Sequence, residues 1–210
     1  MACRVTDIFQ IVMLAPSAHA SLRTDCSYKR PCILPQKNIL ELHHPGIREQ
    51  QGGIIARNER AGRYDGVTVR LGENHYLMHT TSGGAARVLA WLERWLQTEW
   101  PHLKVYLTTV TDHWSTTAIV GPKSRELLKK LCTDVDFDDT AFPFMSYREG
   151  TVAGVRARIM RISFTGERSY EVNVPAADGL KVWEAVHAAG APYGITPYGT
   201  EAMHVLRAEK

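Results

Sequence analysis

The chain has 210 residues, of which 44% are hydrophobic and 22% are charged. This composition is ordinary for a soluble globular protein with one good-sized domain or two small ones. The formal net charge is +3, and the positive excess lies in residues 1–63. The rest of the chain therefore offers no strongly basic surface for nucleic acid, and no apolar run approaches the ~18 residues that span a bilayer.

The first part of the chain differs in kind from the remainder. Residues 1–62 contain scattered prolines and no sustained period of 2 or 3.6 in their apolar positions. We therefore expect a poorly structured head of unknown origin over residues 1–62 and a folded domain over residues 63–210. The four cysteines show neither a C-x-x-C pair nor a zinc spacing, which indicates reduced thiols in a cytoplasmic protein.

The body begins with two predicted strands and a helix. Val67–Leu71 alternates between apolar and polar residues, and His75–Thr80 predicts a second strand. Ser82 is a candidate N-cap for a helix whose apolar positions follow the 3.6-residue period. Pro101 bars continuation of that helix.

The remainder of the body alternates strands and helices. A helix is predicted after Gly121-Pro122, where proline occupies a permitted first-turn position. This order suggests an α+β fold with split β-α-β (ferredoxin-like) packing, in which helices cover one face of a mainly antiparallel sheet. The predicted strands are Val105–Thr111, Ser115–Val120, Tyr147–Val152, Val155–Phe164 and Tyr170–Val174, and the last two predicted helices are Ala176–Ala188 and Thr200–Glu209.

Four segments of the body carry a family resemblance. They are DGVTVRL at 65–71, LERWLQTEWP at 92–101, ISFTGERSYEVNVP at 162–175 and ITPYGTEAMHVLRAEK at 195–210. In one register over residues 64–210 they resemble the glycine cleavage T-protein (aminomethyltransferase) family. Within it they are most similar to the C-terminal half of sarcosine oxidase alpha subunits. The resemblance implies a folate-binding domain of the aminomethyltransferase type that is truncated at its C-terminal end.

The resemblance also implies a function. A region of this kind holds tetrahydrofolate and captures the one-carbon unit from sarcosine oxidation as 5,10-methylenetetrahydrofolate. The implied substrates are folate and a small amine-derived one-carbon unit, and the implied partners are the other sarcosine oxidase subunits. Flavin and NAD are expected only on regions or subunits absent from this chain. No membrane or nucleic-acid partner is expected.

Other functions stay open. A glycine cleavage aminomethyltransferase is the nearest alternative, although the sequences of residues 92–101 and 195–210 favour the sarcosine oxidase branch. A truncated remnant that no longer turns over is a second alternative. An RNA-binding module is a third, and the lack of a basic surface in the body argues against it.

Glu171 is the first candidate for the folate site. A pterin ring presents an amino group and ring N–H donors, which a carboxylate meets with paired, charge-assisted hydrogen bonds. From the residues alone, a solvated strand glutamate is the commoner interpretation. Glu171 stands in TGERSYE, however, and the resemblance implies that the glutamate at this position contacts the pterin. The glycine in this turn allows a ligand to approach the backbone closely.

Four further residues complete the predicted site. The resemblance implies that Asp65 contacts folate near the one-carbon unit, where a carboxylate steers charge and protons. Phe164 and Tyr170 are candidates to line the pocket of the pterin ring, although aromatic residues in strands more often belong to the hydrophobic core. Arg207 lies in the matching helix near the site. The histidines lack the spacing of a zinc site, so no metal is expected.

Overall fold

We describe the chain from a computed structural model, in which residues 2–6, 9–14, 54–57, 66–72, 75–80 and 84–209 are described. The chain divides into two compact units. The first comprises Met1–Ile8 with Val110–Lys210, and the second comprises Phe9–Thr109. Among the described residues, no helix is long and apolar enough to cross a membrane.

The described residues form eleven strands and four α-helices. The strands are β1 Ala2–Thr6, β2 Phe9–Leu14, β3 Ile54–Arg57, β4 Gly66–Gly72, β5 His75–Thr80, β6 Tyr106–Thr109, β7 Trp114–Val120, β8 Ser146–Val152, β9 Val155–Arg161, β10 Ser169–Pro175 and β11 Thr196–Pro197. The helices are α1 Ala85–Thr98, α2 Ser124–Leu131, α3 Gly179–Gly190 and α4 Thr200–Ala208.

The first unit is built on a six-stranded sheet in the order β11-β1-β7-β10-β9-β8. Neighbouring strands in this sheet are antiparallel except β1 and β11, which are parallel. The hairpin between β8 and β9 turns at Ala153 and Gly154, whose φ angles are 51° and 77°. Two successive positive φ angles match the right-handed twist of the flanking strands.

Helices α2 and α3 cover one face of the six-stranded sheet. Their apolar residues recur at helical spacing and meet every second residue of the strands below. Strand β10 therefore alternates, with Tyr170, Val172 and Val174 in this core and the residues between them on the other face. Fully buried members of the core include Leu127, Leu128, Val172, Val174, Val182 and Val186.

The second unit contains a five-stranded antiparallel sheet in the order β3-β4-β5-β2-β6. Helix α1 packs through Val88 and Leu92 against Met78 and Leu107. At the end of this helix Trp95 stacks on Trp100, with 5.3 Å between ring centroids. Val88, Leu92, Met78 and Leu107 thus form a small apolar cluster in the second unit.

The predicted elements of the body are present. Each strand and helix predicted between Val67 and Glu209 has a counterpart, and β5 has the predicted bounds. Strand β9 ends at Arg161 instead of Phe164 because the chain turns before β10, at Gly166 with a φ of 91°. The predicted N-cap Ser82 lies outside the described residues.

Residues 1–62 contribute strands β1, β2 and β3, and the first unit combines both ends of the chain. The organisation differs from the prediction in that the strands form two sheets where the sequence pattern suggested one. Short strands are specified by distant pairing partners more than by their own residues, so the sequence pattern of the head gave no sign of them. The combination of helices with mainly antiparallel sheets is as predicted.

Candidate functional site

The candidate site lies on the face of the six-stranded sheet opposite α2 and α3. Glu171 occupies the middle of β10, directly opposite Ala118 of β7 on one side and Met160 of β9 on the other. Directly opposite residues have Cβ atoms about 4.5–5.5 Å apart. Glu171 is therefore a single carboxylate between two apolar neighbours, both of which are buried.

The Glu171 carboxyl group is enclosed by protein while the residue keeps partial solvent access. Burial raises the pKa of Glu171 to about 7, because it disfavours the charged form. Among the described residues, no side chain forms a hydrogen bond or ion pair with this carboxylate, and burial is the only cause of the raised pKa. An enclosed acceptor of this kind is ready for a ligand that brings its own donors.

The next row on the same face is polar and internally bonded. The Thr116 hydroxyl donates to Asn173 Oδ1 at 2.6 Å, and Asn173 Nδ2 donates to the main-chain oxygens of Arg158 and Glu171 at 3.2 and 3.3 Å. Both Thr116 and Asn173 are almost inaccessible, at 1% and 0% exposure. These bonds tie β7, β10 and β9 together beside Glu171.

A charged cluster continues this face toward β8. Glu149 accepts a hydrogen bond from the Tyr147 hydroxyl at 2.5 Å and pairs with Arg156 at 2.7 Å and Arg158 at 3.7 Å. The tyrosine hydroxyl and Arg156 hold the pKa of Glu149 below its ordinary value. The Arg158 guanidinium also lies 4.2 Å from the centroid of the Trp114 ring. Arg158 is thus engaged by groups other than Glu171.

Phe164 and Arg207 lie together in the structure. Phe164 belongs to the turn before β10, and the Arg207 guanidinium carbon of α4 lies 4.5 Å from the centroid of its ring. His204, one helical turn earlier, approaches the same ring edge-on at 6.3 Å. Phe164 is partly exposed, so its ring is accessible as an aromatic surface.

Tyr170 lies on the other side of the sheet from Glu171. Its side chain is fully buried and meets Phe137 and Phe142 at ring-centroid distances of 5.6 and 5.7 Å. The structure thus makes Tyr170 a core residue, because adjacent residues in a strand point to opposite faces. A ligand that contacts the Glu171 carboxylate does not meet this ring.

Asp65 lies outside the described residues. The polar row beside Glu171 consists of Thr116 and Asn173. Neither residue was predicted from the sequence as a site residue. Strand alternation places Asn173 on the face of Glu171 and was available from the sequence. Nothing in the sequence indicated Thr116, because its place beside Asn173 depends on the register between β7 and β10. Within the described ranges, no group of three or more His, Cys, Asp or Glu side chains is arranged to hold a metal ion.

Comparison with known families agrees with the resemblance. Residues 53–210 match the sequence profile of the family described as the GCVT N-terminal domain. The match covers most of the chain, and the chain belongs to this family.

Two relatives indicate the branch of the family. Sarcosine oxidase subunit alpha of Corynebacterium sp. (strain P-1) is 59% identical over 159 residues, which are 75% of this chain and 16% of that subunit. The aminomethyltransferase of Chloroherpeton thalassium is 32% identical over 160 residues, or 76% of this chain and 40% of that protein. Both relatives are enzymes. The chain spans about a sixth of the length of the sarcosine oxidase subunit that it matches.

A solved structure shows the same fold. It is the heterotetrameric sarcosine oxidase from Corynebacterium sp. U-96 in complex with pyrrole 2-carboxylate. One of its chains matches with a TM-score of 0.64 at 14% sequence identity, covering 94% of this chain and 87% of that chain.

Proposed function

We propose that the chain is a tetrahydrofolate-binding part of a sarcosine oxidase-type enzyme, with Glu171 as the pterin contact. The observation that carries this proposal is the Glu171 carboxylate, which is enclosed, has partial solvent access and has no partner among the described side chains. An ionised carboxylate supplies the acceptor pair that the donor edge of a pterin requires. The higher identity to a sarcosine oxidase subunit than to an aminomethyltransferase supports this branch.

Within that enzyme, the bound one-carbon unit would leave as 5,10-methylenetetrahydrofolate. Tetrahydrofolate supplies the N5 and N10 nitrogens that take up this unit. Asp65 keeps the role that the resemblance implies, a carboxylate at the one-carbon end that steers protons. Phe164 would contact the ligand through its partly exposed ring, with Arg207 stacked on the same ring. Flavin, NAD and the further subunits belong to the rest of the enzyme.

The first prediction separates the roles of the two carboxylates. Glu171→Gln keeps the shape of the side chain but replaces one acceptor oxygen with an amide donor. Losing a charge-assisted pair weakens tetrahydrofolate binding about tenfold to hundredfold. Asp65→Asn weakens binding less and lowers turnover in the assembled enzyme more. The measurement is anaerobic calorimetric titration of tetrahydrofolate at pH 8, where the Glu171 carboxyl is ionised.

Glu167→Gln is the matched control for this experiment. Glu167 is an exposed residue in the turn just before β10, so its replacement leaves the affinity at the wild-type value. Equal affinities of wild type and Glu171→Gln would show that Glu171 is not the pterin contact. A wild-type chain that takes up no tetrahydrofolate would overturn the proposed function for this chain.

A further inference from the structure

Three arginine side chains from separate segments of the chain meet at the Asp139 carboxylate. Arg125 of α2 bonds to its Oδ1 atom, and Arg161 Nη2 at the end of β9 lies 2.6 Å from the same atom. Arg168 Nη2, just before β10, lies 3.6 Å from Oδ2. The three arginine side chains are 20%, 12% and 30% exposed, respectively. Their charged groups have therefore lost much of the water that stabilises a charge.

The charges of this cluster do not balance. Among the described residues, Asp139 is the only carboxylate at ion-pair distance from the three guanidinium groups, so three positive charges and one negative charge leave +2. The acidic chain neighbours of the cluster have partners of their own. Asp138 pairs with Lys129 at 2.8 Å, and Glu126 pairs with Lys123 at 3.3 Å. Charges that are withdrawn from water are normally paired, and an anion would balance this excess.

Arg168 has the hydrogen-bond donors that such an anion requires. Its Nη2 atom is too far from Asp139 for a hydrogen bond, and no residue in the described part of the chain accepts a hydrogen bond from its side chain. A guanidinium group carries five N–H donors and can meet two oxygens of one anion. Glu167, its chain neighbour, is exposed and forms no ion pair with the three arginines within the described structure.

The main chain holds Arg168 beside the start of α2. Its carbonyl oxygen accepts hydrogen bonds from the Gly121 N–H at 2.8 Å and from the Ser124 hydroxyl at 3.2 Å. Arg125 is the second residue of this helix. A cation in the first turn of a helix opposes the helix dipole, whereas an anion there is favoured. The field of the helix therefore adds to the attraction that the arginines exert on an anion.

We propose that Arg125, Arg161 and Arg168 form an oxyanion-binding site whose ligand is a phosphate group. An excess of two positive charges equals the charge of a phosphate dianion, and guanidinium groups bind phosphate oxygens in pairs. Free inorganic phosphate and the phosphoryl group of a larger molecule share this chemistry. The site has no residue in common with the candidate folate site, and it does not depend on the proposed function.

Arg168→Gln tests the site, and Arg156→Gln is its matched control. Arg168 makes the longest of the three contacts with Asp139, so its replacement leaves the other two arginines in place. Arg156 lies on β9, is 83% exposed and pairs with Glu149. The control therefore removes the same charge from the same unit, away from the cluster.

The readout is the affinity of the full chain for inorganic phosphate at pH 8, measured by calorimetric titration at constant ionic strength. Wild type is expected to show saturable binding that chloride at the same ionic strength does not reproduce. The loss of a charge-assisted pair weakens phosphate binding about tenfold to hundredfold in Arg168→Gln. Arg168→Lys keeps the charge without the fork and loses less affinity. Arg156→Gln binds phosphate as wild type does.

Asp139→Asn changes the affinity in the opposite direction. It raises the excess charge from +2 to +3, so phosphate binds about tenfold more tightly. A ligand of the folded state raises the melting temperature, and phosphate therefore raises it more in this variant than in wild type. An arginine network that serves only to stabilise the fold would respond equally to phosphate and to chloride at the same ionic strength.

A phosphate monoester distinguishes the two sources of the group. Phenyl phosphate that binds at least as tightly as inorganic phosphate indicates the phosphoryl group of a larger molecule, and weaker binding of the monoester indicates free phosphate. Two results would overturn the site. One is a wild-type chain that takes up no phosphate, and the other is an equal phosphate affinity of wild type and Arg168→Gln. If Asp139→Asn does not fold, the comparison of Arg168→Gln with Arg156→Gln decides.

Discussion

At the scale of single residues, the ionised form of Glu171 opposes the stability of the fold that holds it. Its pKa is raised from 4.5 to about 7 by burial alone. A carboxyl group that binds its proton more tightly when folded stabilises the protein at low pH. That contribution is complete below the unfolded pKa and is lost as the pH rises through about 7. Near pH 8 the folded chain therefore carries an enclosed charge that has no hydrogen-bond or ion-pair partner among the described side chains.

A second prediction follows from this titration. Glu171→Gln removes the charge, so the variant is more stable than wild type by about 1–3 kcal/mol at pH 8, since one pKa unit is worth about 1.4 kcal/mol. The difference shrinks toward pH 4.5. Urea unfolding of both chains at pH 5 and pH 8 measures it. Glu167→Gln, at an exposed position, shows no such pH dependence, and an equal difference at both pH values would contradict the raised pKa.

The sequence predicted part of this arrangement. The period of a strand places Tyr170 and Glu171 on opposite faces and Glu171 and Asn173 on the same face. The sequence does not state which face the helices cover, so Tyr170 was a candidate wall residue although the structure buries it among Phe137 and Phe142. Thr116 comes from another strand, and only the register between strands brings it to Asn173.

At the scale of elements, Asp139 in the segment between α2 and β8 pairs with three arginines. Asp139 bonds to Arg125 of α2, lies 2.6 Å from Arg161 at the end of β9, and lies 3.6 Å from Arg168 before β10. The same segment carries Phe137 into the core. The arginines hold the pKa of Asp139 below its ordinary value, with the hydrogen bond from Arg125 as the largest cause.

A third prediction concerns this anchor. Asp139→Asn leaves three guanidinium groups without their shared carboxylate, so the melting temperature falls by a few degrees at low salt and by less at high salt. Because the pKa of Asp139 is lowered, its contribution is present at neutral pH and is lost as the pH falls through that lowered value. Thermal unfolding at two salt concentrations and at pH 7 and pH 3 checks both dependences.

Asp138→Asn is the control for the anchor. Asp138 pairs with Lys129 at 2.8 Å, and both side chains are about half exposed or more, so its loss has a smaller effect. Equal melting temperatures of the two variants would contradict the special role of Asp139. This anchor could not be predicted from the sequence, because its arginines come from three separate segments of the chain.

At the scale of the whole molecule, strands from residues 1–62 belong to both sheets. Strand β1 lies between β11 and β7, and β2 lies between β5 and β6. In the sequence, residues 1–62 carry prolines and no sustained period, and the strands among them become visible only through their pairing. The body could be predicted well because its elements carry local signals, such as β-branched runs, Gly121-Pro122 and Pro101. The head could not, because its pairing is nonlocal.

The last prediction tests whether residues 1–62 are dispensable. A chain starting at Arg63 lacks β1, β2 and β3, so β7 loses one of its neighbours and β6 loses its connection to β5. Unpaired strand edges and uncovered apolar surface favour association. We therefore expect this chain to aggregate or to unfold over a broad transition, while the full chain unfolds at a higher urea concentration. A chain lacking only residues 1–14 separates the loss of β1 and β2 from that of β3 and is expected to show most of the effect. If the chain starting at Arg63 is monomeric and unfolds at the same urea concentration as the full chain, the pairing of β1 and β2 contributes nothing to the fold.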